Sequence, residues 1–315
     1  GKINGLKLEL DLKKGALETD IKSLKKAARQ TISPELGKRI QIIIETGLID
    51  LSDDFKIYWN RYPIAKLISG KDYLNPGLEL IIDDIIEQNH KQKLNAFLDN
   101  WLKKKIRTVL KSLFDLKELK DRNSSVNALA FHLYENNGVI KRDNVYEYLK
   151  NLKQDERKTL RDLGVKFGRY HIYLHKLIKP EAVSLRTMLW KNFHQKYLKL
   201  KPPTFGLNFL NNQDSKDKNF MLLCGFEKFN NLYVRIDILE RLFVKIINSN
   251  IEKSNEIKMV PEMLNLLGCT KNNFLSLLKN MNYKIIEKNN EVFFKYYPRK
   301  KTKKVFNIKN AKESP

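Results

Sequence analysis

Asp83 and Asp84 end the apolar run LELIIDD (78–84), the pattern in which a strand delivers carboxylates to a magnesium ion beside nucleotide phosphates. Such a site also needs a glycine-rich loop carrying Lys and Ser or Thr, because backbone amides must wrap the phosphates. No G-x-x-x-x-G-K-[S/T] occurs in the 315 residues, and Ser69-Gly70-Lys71-Asp72 is too short to serve. His171 and His175 have the spacing that puts two metal ligands on one helix face, but they lie in the alternating stretch LGVKFGRYHIYL (163–174) and lack the Glu of H-E-x-x-H. Cys224 and Cys269 are too few for a four-thiolate zinc site or a disulfide framework. Nothing in the sequence brings a Ser-His-Asp or Cys-His constellation together. No catalytic residue, metal site or cofactor is therefore assigned to the chain.

What remains is charge. Lys and Arg number 60 against 36 Asp and Glu, giving a formal charge of +24. A genome rich in A and T, which favours Lys, Asn and Ile together, accounts for part of this excess. The rest makes a surface that attracts polyanions, and nucleic acid is the natural partner. The candidate contacts fall into four groups. Lys103, Lys104 and Arg107 share one face of a long helix with Lys111; that face either follows a phosphate backbone or is ordinary solvated surface. Lys166 and Arg169 flank Phe167, Tyr170 and Tyr173, aromatic rings that either stack on bases or belong to the core. Lys271, Asn272, Asn273, Ser276, Lys279 and Asn280 share the exposed side of a C-terminal helix, followed by Lys288 and Lys295 on a hairpin. A basic tail (298–315) adds Arg299, Lys300, Lys301, Lys303 and Lys304.

The elements that must position these groups are helices with small hairpins. GKINGLKLELDL (1–12) alternates like a half-buried strand, and helix follows to about Glu45, broken at Ser33-Pro34. FKIYWNRYPIAKLISG (55–70) reads as a hairpin around Asn60-Arg61 and LELII (78–82) as a further strand. A long helix then buries Leu94, Phe97, Leu98, Trp101, Leu102, Ile106, Val109, Leu110 and Leu113 on one stripe. Residues 121–199 are expected to be mainly helical, with starts at Ser124 and Pro180, breaks at Asn137-Gly138, Asp143 and Gly164, and one extended segment at 163–174. The turn-rich stretch 201–219 is the candidate linker.

The pattern after the linker is the clearest. Tyr233–Ile236 reads as a strand, and Asp237 with Glu240 has capping-box spacing. Ile238, Leu239, Leu242, Phe243, Ile246 and Ile247 share one helical face. Helices follow from Pro261 to Gly268 and from Thr270 to Asn280, the latter burying Phe274, Leu277, Leu278 and Met281. The strands 283–288 and 291–297 join at Asn289-Asn290, residues that tolerate the positive φ of a two-residue turn. Helix, helix-turn-helix and hairpin is the order of a winged helix. The fold class is thus mainly α with small β-hairpins (α+β), in modules 1–120, 121–200, 220–297 and the tail.

The segment LGVKFGRYHIYLHKLIKPEAVSLRTMLW (163–190) resembles the C-terminal part of bacterial helicase-like proteins related to the mitochondrial degradosome RNA helicase, a superfamily-two motor. The similarity extends through KIYWNRYPIAKLISGKDYLNPGLELI (56–81), LKSLFDL (110–116), GFEKFNNLYVRIDILERL (225–242) and VPEMLNLLGCTKNNFLSLLKNMNY (260–283). The resemblance implies a parent protein with two ATP-hydrolysing motor domains, for which alone ATP and magnesium are expected, and none of the family's catalytic residues falls in this stretch. The expected function is a nucleic-acid-binding accessory region of an ATP-dependent helicase, with single-stranded RNA favoured and the motor domains of the same polypeptide as partner. Two rivals stand beside it: a scaffold docking a ribonuclease or ribosome-associated partner, and a winged-helix DNA-binding regulator. The N-terminus Gly-Lys-Ile-Asn has no initiator Met and no signal-peptide core, and no apolar run approaches the ~18–20 residues that span a bilayer, so a cytoplasmic piece of a larger protein is expected.

Overall fold

The computed structural model describes residues 2–9, 23, 26–27, 31–121, 123–211, 217–249 and 256–297. Helices and small antiparallel sheets share the chain, which divides into two compact units: 1–205 with 216–226, and 206–215 with 227–315. No helix among the described residues is long and apolar enough to cross a membrane.

In the first unit the opening residues form two strands, β1 (Lys2–Asn4) and β2 (Lys7–Glu9), where one strand was expected. The reason is Gly5, whose φ of +61° turns the chain back and buries Leu6. Residues 10–12 and most of the helical stretch expected before Ser33 lie outside the described residues. Asp83 fixes this hairpin: its carboxylate accepts the Leu8 amide at 3.0 Å and the Ile85 amide at 3.1 Å, and its own amide donates to the Leu6 carbonyl. The carboxylate that resembles a magnesium ligand in sequence is thus spent on two backbone donors.

Helix α1 (Ser33–Thr46), with Pro34 in its first turn and Gly47 left-handed at its end, precedes a four-stranded antiparallel sheet. Its strands run in chain order: β3 (Asp50–Leu51), β4 (Lys56–Trp59), β5 (Tyr62–Asp72) and β6 (Asn75–Leu80). Asn60 and Arg61, at φ 45° and 69°, make the two-residue turn expected there. Helix α2 (Gln88–Val109) buries Leu94, Leu98, Leu102 and Ile106, one residue per turn. It does not run on to Leu113. Leu110 leaves helical geometry at φ −102° and ψ 24°, and α3 (Lys111–Glu118) starts a new axis, which allows Leu110, Leu113 and Leu116 all to reach the core.

Helix α4 (Ser124–Glu135) is capped by Asn123, one residue before the expected start; its side-chain oxygen accepts the Ser125 amide at 2.8 Å. Then come β7 (Val139–Lys141), a 3₁₀ turn (Arg142–Val145), α5 (Tyr146–Lys150), α6 (Gln154–Asp162), β8 (Val165–Phe167) and β9 (His171–Leu174). The segment 163–174, expected as a single strand or extended loop, is therefore a hairpin, and β9 pairs with both β8 and β7. A 3₁₀ turn (His175–Ile178) leads into α7 (Pro180–Phe193), and the later helix α8 (Lys218–Leu223) also belongs to this unit.

Helix α7 is buried on nearly every side and packs against β5, α2 and α8. In its middle sits Arg186, with no surface exposed. Its guanidinium donates to the carbonyls of Asn137 (2.6 Å), Leu177 (2.5 Å) and Leu223 (3.0 Å). These carbonyls belong to the α4–β7 turn, the 3₁₀ turn after β9 and the last residue of α8, so one side chain satisfies backbone acceptors that helix and turn ends leave open. Burial pushes the guanidinium down to about 10, still protonated at neutral pH.

In the second unit the stretch expected as a linker contains β10 (Phe209–Asn211), which pairs with β12 (Leu232–Arg235) beside β11 (Phe226–Phe229). Helix α9 (Ile236–Asn248) starts one residue before Asp237, so the expected capping box does not form; the Asp237 carboxylate instead accepts Arg235 Nε at 2.7 Å. Of its expected face, Ile238, Leu239, Leu242 and Ile246 are buried, whereas Ile247 is exposed. Strand β13 (Ile257–Lys258), α10 (Pro261–Leu267), α11 (Lys271–Asn280), β14 (Tyr283–Lys288) and β15 (Glu291–Tyr296) complete the unit. Asn289 and Asn290 take φ 49° and 61° at the turn, and Phe274, Leu277, Leu278 and Met281 are buried as expected.

Residues 124–174 and 236–296 thus run through one order: helix, short strand, two helices, hairpin. Their sheets share one strand order too, first–third–second, as β7-β9-β8 and β13-β15-β14. Replacing Arg186 by Met should leave three carbonyls, two of them buried, unmatched and destabilise the protein by about 2–4 kcal/mol, with Arg186→Lys intermediate. Urea unfolding measures this, and a wild-type midpoint for Arg186→Met would show that the carbonyls have other partners.

Candidate nucleic-acid interface

Two of the four candidate groups lie in the repeated arrangements, which give both the same setting: a helix followed by a hairpin. In the second unit the Thr270 hydroxyl caps α11 by accepting the Asn273 amide at 3.3 Å, and Gly268, at φ 68°, ends α10. These ends orient α11 so that its apolar side is buried and Lys271, Asn272, Ser276 and Lys279 lie on its outer side. Asn273 and Asn280 are partly committed elsewhere: the Asn273 side-chain oxygen accepts from Asn211, and that of Asn280 accepts from Asn230 at 2.7 Å. On the hairpin Lys288 pairs with Glu256 at 2.7 Å, and Lys295 is half-buried.

In the first unit the equivalent helix is α6 and the equivalent hairpin is β8–β9. Lys166 and Arg169 are both exposed there. Three arginines support the hairpin from behind. Arg142 donates to the Gly168 carbonyl at 2.8 Å, while Arg157 and Arg161 place their guanidiniums 5.7 Å and 5.5 Å from the Phe167 ring centre. Arg157 also donates to the Leu149 carbonyl, which ties α6 to α5. Asn123 donates to Glu156 at 2.8 Å and so joins the start of α4 to the first turn of α6.

This geometry separates core rings from surface ones. Tyr173 is buried at 6 % exposure and belongs to the core, and Phe167 is held by two guanidiniums. Sequence reasoning missed the cations Arg157, Lys158 and Arg161. The signal lay in the order of elements around 124–174, which the Gly168-Arg169-Tyr170 turn hides because it lacks the two-residue Asn or Gly pattern.

The cations expected on the long helix are largely exposed but paired, and Lys111 lies on α3 rather than on α2 with the others, because the helix axis changes at Leu110. Lys103 meets Asp99 at 2.6 Å, Arg107 meets Glu118 at 2.5 Å and Lys111 meets Asp115 at 2.7 Å, with Lys104 beside them. Surface ion pairs contribute only ~0–1 kcal/mol, so a phosphate can replace the acid, yet these cations present less net field than Lys166 or Lys271. Arg299 and Lys300, with the rest of the basic tail, lie outside the described residues.

No group of three or more His, Cys, Asp or Glu suited to a metal occurs among the described residues, and His171 is buried at 2 % exposure. Cys224 is buried, and Cys269, half-buried in the α10–α11 turn, has its thiol pushed up to about 11 by burial. Neither cysteine is set up as a nucleophile. No protein family, characterised protein or solved structure matches the chain.

At pH 8 Cys269 should therefore react with iodoacetamide on the order of a hundredfold more slowly than a free cysteine, with the rate still rising toward pH 10. Peptide mass spectrometry over time reads this directly, and a plateau near pH 8 would mean that the thiol is not held protonated.

Proposed function

We propose that the chain is a nucleic-acid-binding accessory region built on two winged-helix units, 124–174 and 236–296, serving motor domains that lie outside it. The observation that carries this is the repeated order of elements, each copy presenting exposed cations on the last helix or on the hairpin that follows. In a winged helix those are the elements that meet a nucleic acid: the last helix enters or tracks a groove, and the hairpin lies along the backbone. Lys271 and Lys279 on α11, and Lys166 and Arg169 on β8–β9, are then phosphate contacts, and Asn272 is positioned for a base edge.

The motor belongs to this reading only through the resemblance of 163–190 to superfamily-two RNA helicases. That resemblance also favours a single RNA strand over duplex DNA. Charge supports it in kind: an excess of +24 gives long-range attraction to any polyanion, and the exposed clusters give that attraction a place to act.

Fluorescence anisotropy with labelled single-stranded RNA, single-stranded DNA and duplex, between roughly 50 and 200 mM salt, tests the proposal. Steep salt dependence with preference for a single strand is expected. The pairs Lys166→Glu with Arg169→Glu, and Lys271→Glu with Lys279→Glu, should each lower affinity and flatten the salt slope by about one for every phosphate no longer neutralised. Weak binding that ignores strand type and both pairs of substitutions would overturn the reading and favour a protein-docking scaffold, whereas preference for one duplex sequence would favour a regulator.

A further inference from the structure

Within the first unit a cleft of about 660 Å³ opens beside α4 and the end of α7, in the range of ~300–1,000 Å³ that small-ligand sites occupy. A second cavity of about 380 Å³ adjoins it, and the two share Glu135, Asn137, Trp190 and His194. The walls are rich in aromatic rings. Phe131 and Tyr134 project from successive turns of α4, and Trp190 and Phe193 from the last turn of α7. Tyr197 stacks on Trp190 with ring centres 4.7 Å apart and planes 22° apart, bracing the indole between the cavities.

Three features say what would fill this space. Phe131 leaves 60 % of its surface in water, an apolar ring placed where burial would be favourable but no part of its own unit covers it. Next to the rings stand cations: Lys117 Nζ lies 4.9 Å from the Tyr134 ring centre and Lys196 Nζ 4.8 Å from that of Tyr197. Finally, the side chains of Glu135 and Asn137 have no hydrogen-bond partner among the described residues, whereas Asp72 and Asn127 in the same cleft are already engaged. Aromatic faces, flanking cations and an open acceptor–donor pair match the three parts of a nucleotide: the flat base, the phosphate and the polar base edge.

We propose that this cleft takes an unstacked nucleobase of a bound single strand, resting on the nucleic-acid reading above. Phe131 and Trp190 supply the stacking surface, Glu135 accepts from an exocyclic amine, and Lys117 and Lys196 hold the adjoining phosphates. The Glu135 carboxylate on the cleft wall repels phosphate, so the base and not the backbone enters, and amine-bearing bases are preferred over uracil.

The test uses the full chain and two labelled ribo-oligonucleotides of equal length, one of adenine and one abasic, so that both carry the same phosphates. Wild type should bind the adenine strand on the order of tenfold more tightly than the abasic one, the scale of one base–aromatic stack. Phe131→Ala, at an exposed position that leaves the fold intact, should remove most of that ratio while leaving abasic binding unchanged, and Trp190→Leu, with its melting curve checked, should do the same. Equal wild-type affinity for the two strands, or a ratio that survives Phe131→Ala, overturns the cleft and leaves the basic interface standing. Failure of wild type to bind either strand overturns the interface, and the cleft with it.

Discussion

A single buried cation organises the first unit. Arg186 lies at the centre of α7, and the charge of its guanidinium is met by the carbonyls of Asn137, Leu177 and Leu223. Burying a charge is costly, and it persists only where dipoles converge on it. Arginine suits this because a planar fork with several donors can serve acceptors from different segments at once, which a lysine ammonium on its flexible stem does less well. Around that point Gly138, at φ +80°, lets the α4–β7 turn press against the 3₁₀ turn after β9, where any Cβ would come within 2.4 Å of Leu177. The end of α4, the end of β9 and the end of α8 are thereby fixed to the helix that carries Trp190.

The consequence is a division of labour between apolar packing and charge. In the first unit one continuous core, from Leu6 to Leu189, fixes where helices and hairpins lie. The cations of the two units, each taken by itself, differ in how far they are committed. Arg142, Arg157 and the exposed Arg161 are each engaged with a carbonyl or with the Phe167 ring, and so stiffen the β8–β9 hairpin. Lys166, Lys271 and Lys279 stay on the surface, and those of α2 pair with acids at little gain. A stiff support under exposed charge lowers the ordering cost of meeting a polyanion.

The two repeated arrangements were not equally legible. In 236–296, Pro261 opens a helix, Gly268 closes it, Thr270 caps the next and Asn289-Asn290 makes the turn, so punctuation alone yields the elements. In 124–174 the helices of five and nine residues bury little besides Leu149 and Leu160, and their turn carries no such punctuation. Helices this short have weak periodicity, because two turns give too few apolar positions to separate one face from another. The break at Leu110 was hidden for the opposite reason: the apolar stripe runs straight across it.

From the sequence alone came the basic excess, the order of elements in the C-terminal part and most of the buried positions, since all of these follow from residue type and local spacing. Tertiary structure decided what each polar group does. Asp83 became a backbone acceptor, Arg186 the tie between three turns, Phe167 the partner of two arginines, and Phe131, Glu135, Trp190 and Lys196 the walls of adjoining cavities although they come from distant parts of the chain. The reason is physical: burial along a helix or strand repeats with the period of the backbone and can be read locally, whereas a hydrogen bond or a ring contact depends on where distant segments meet.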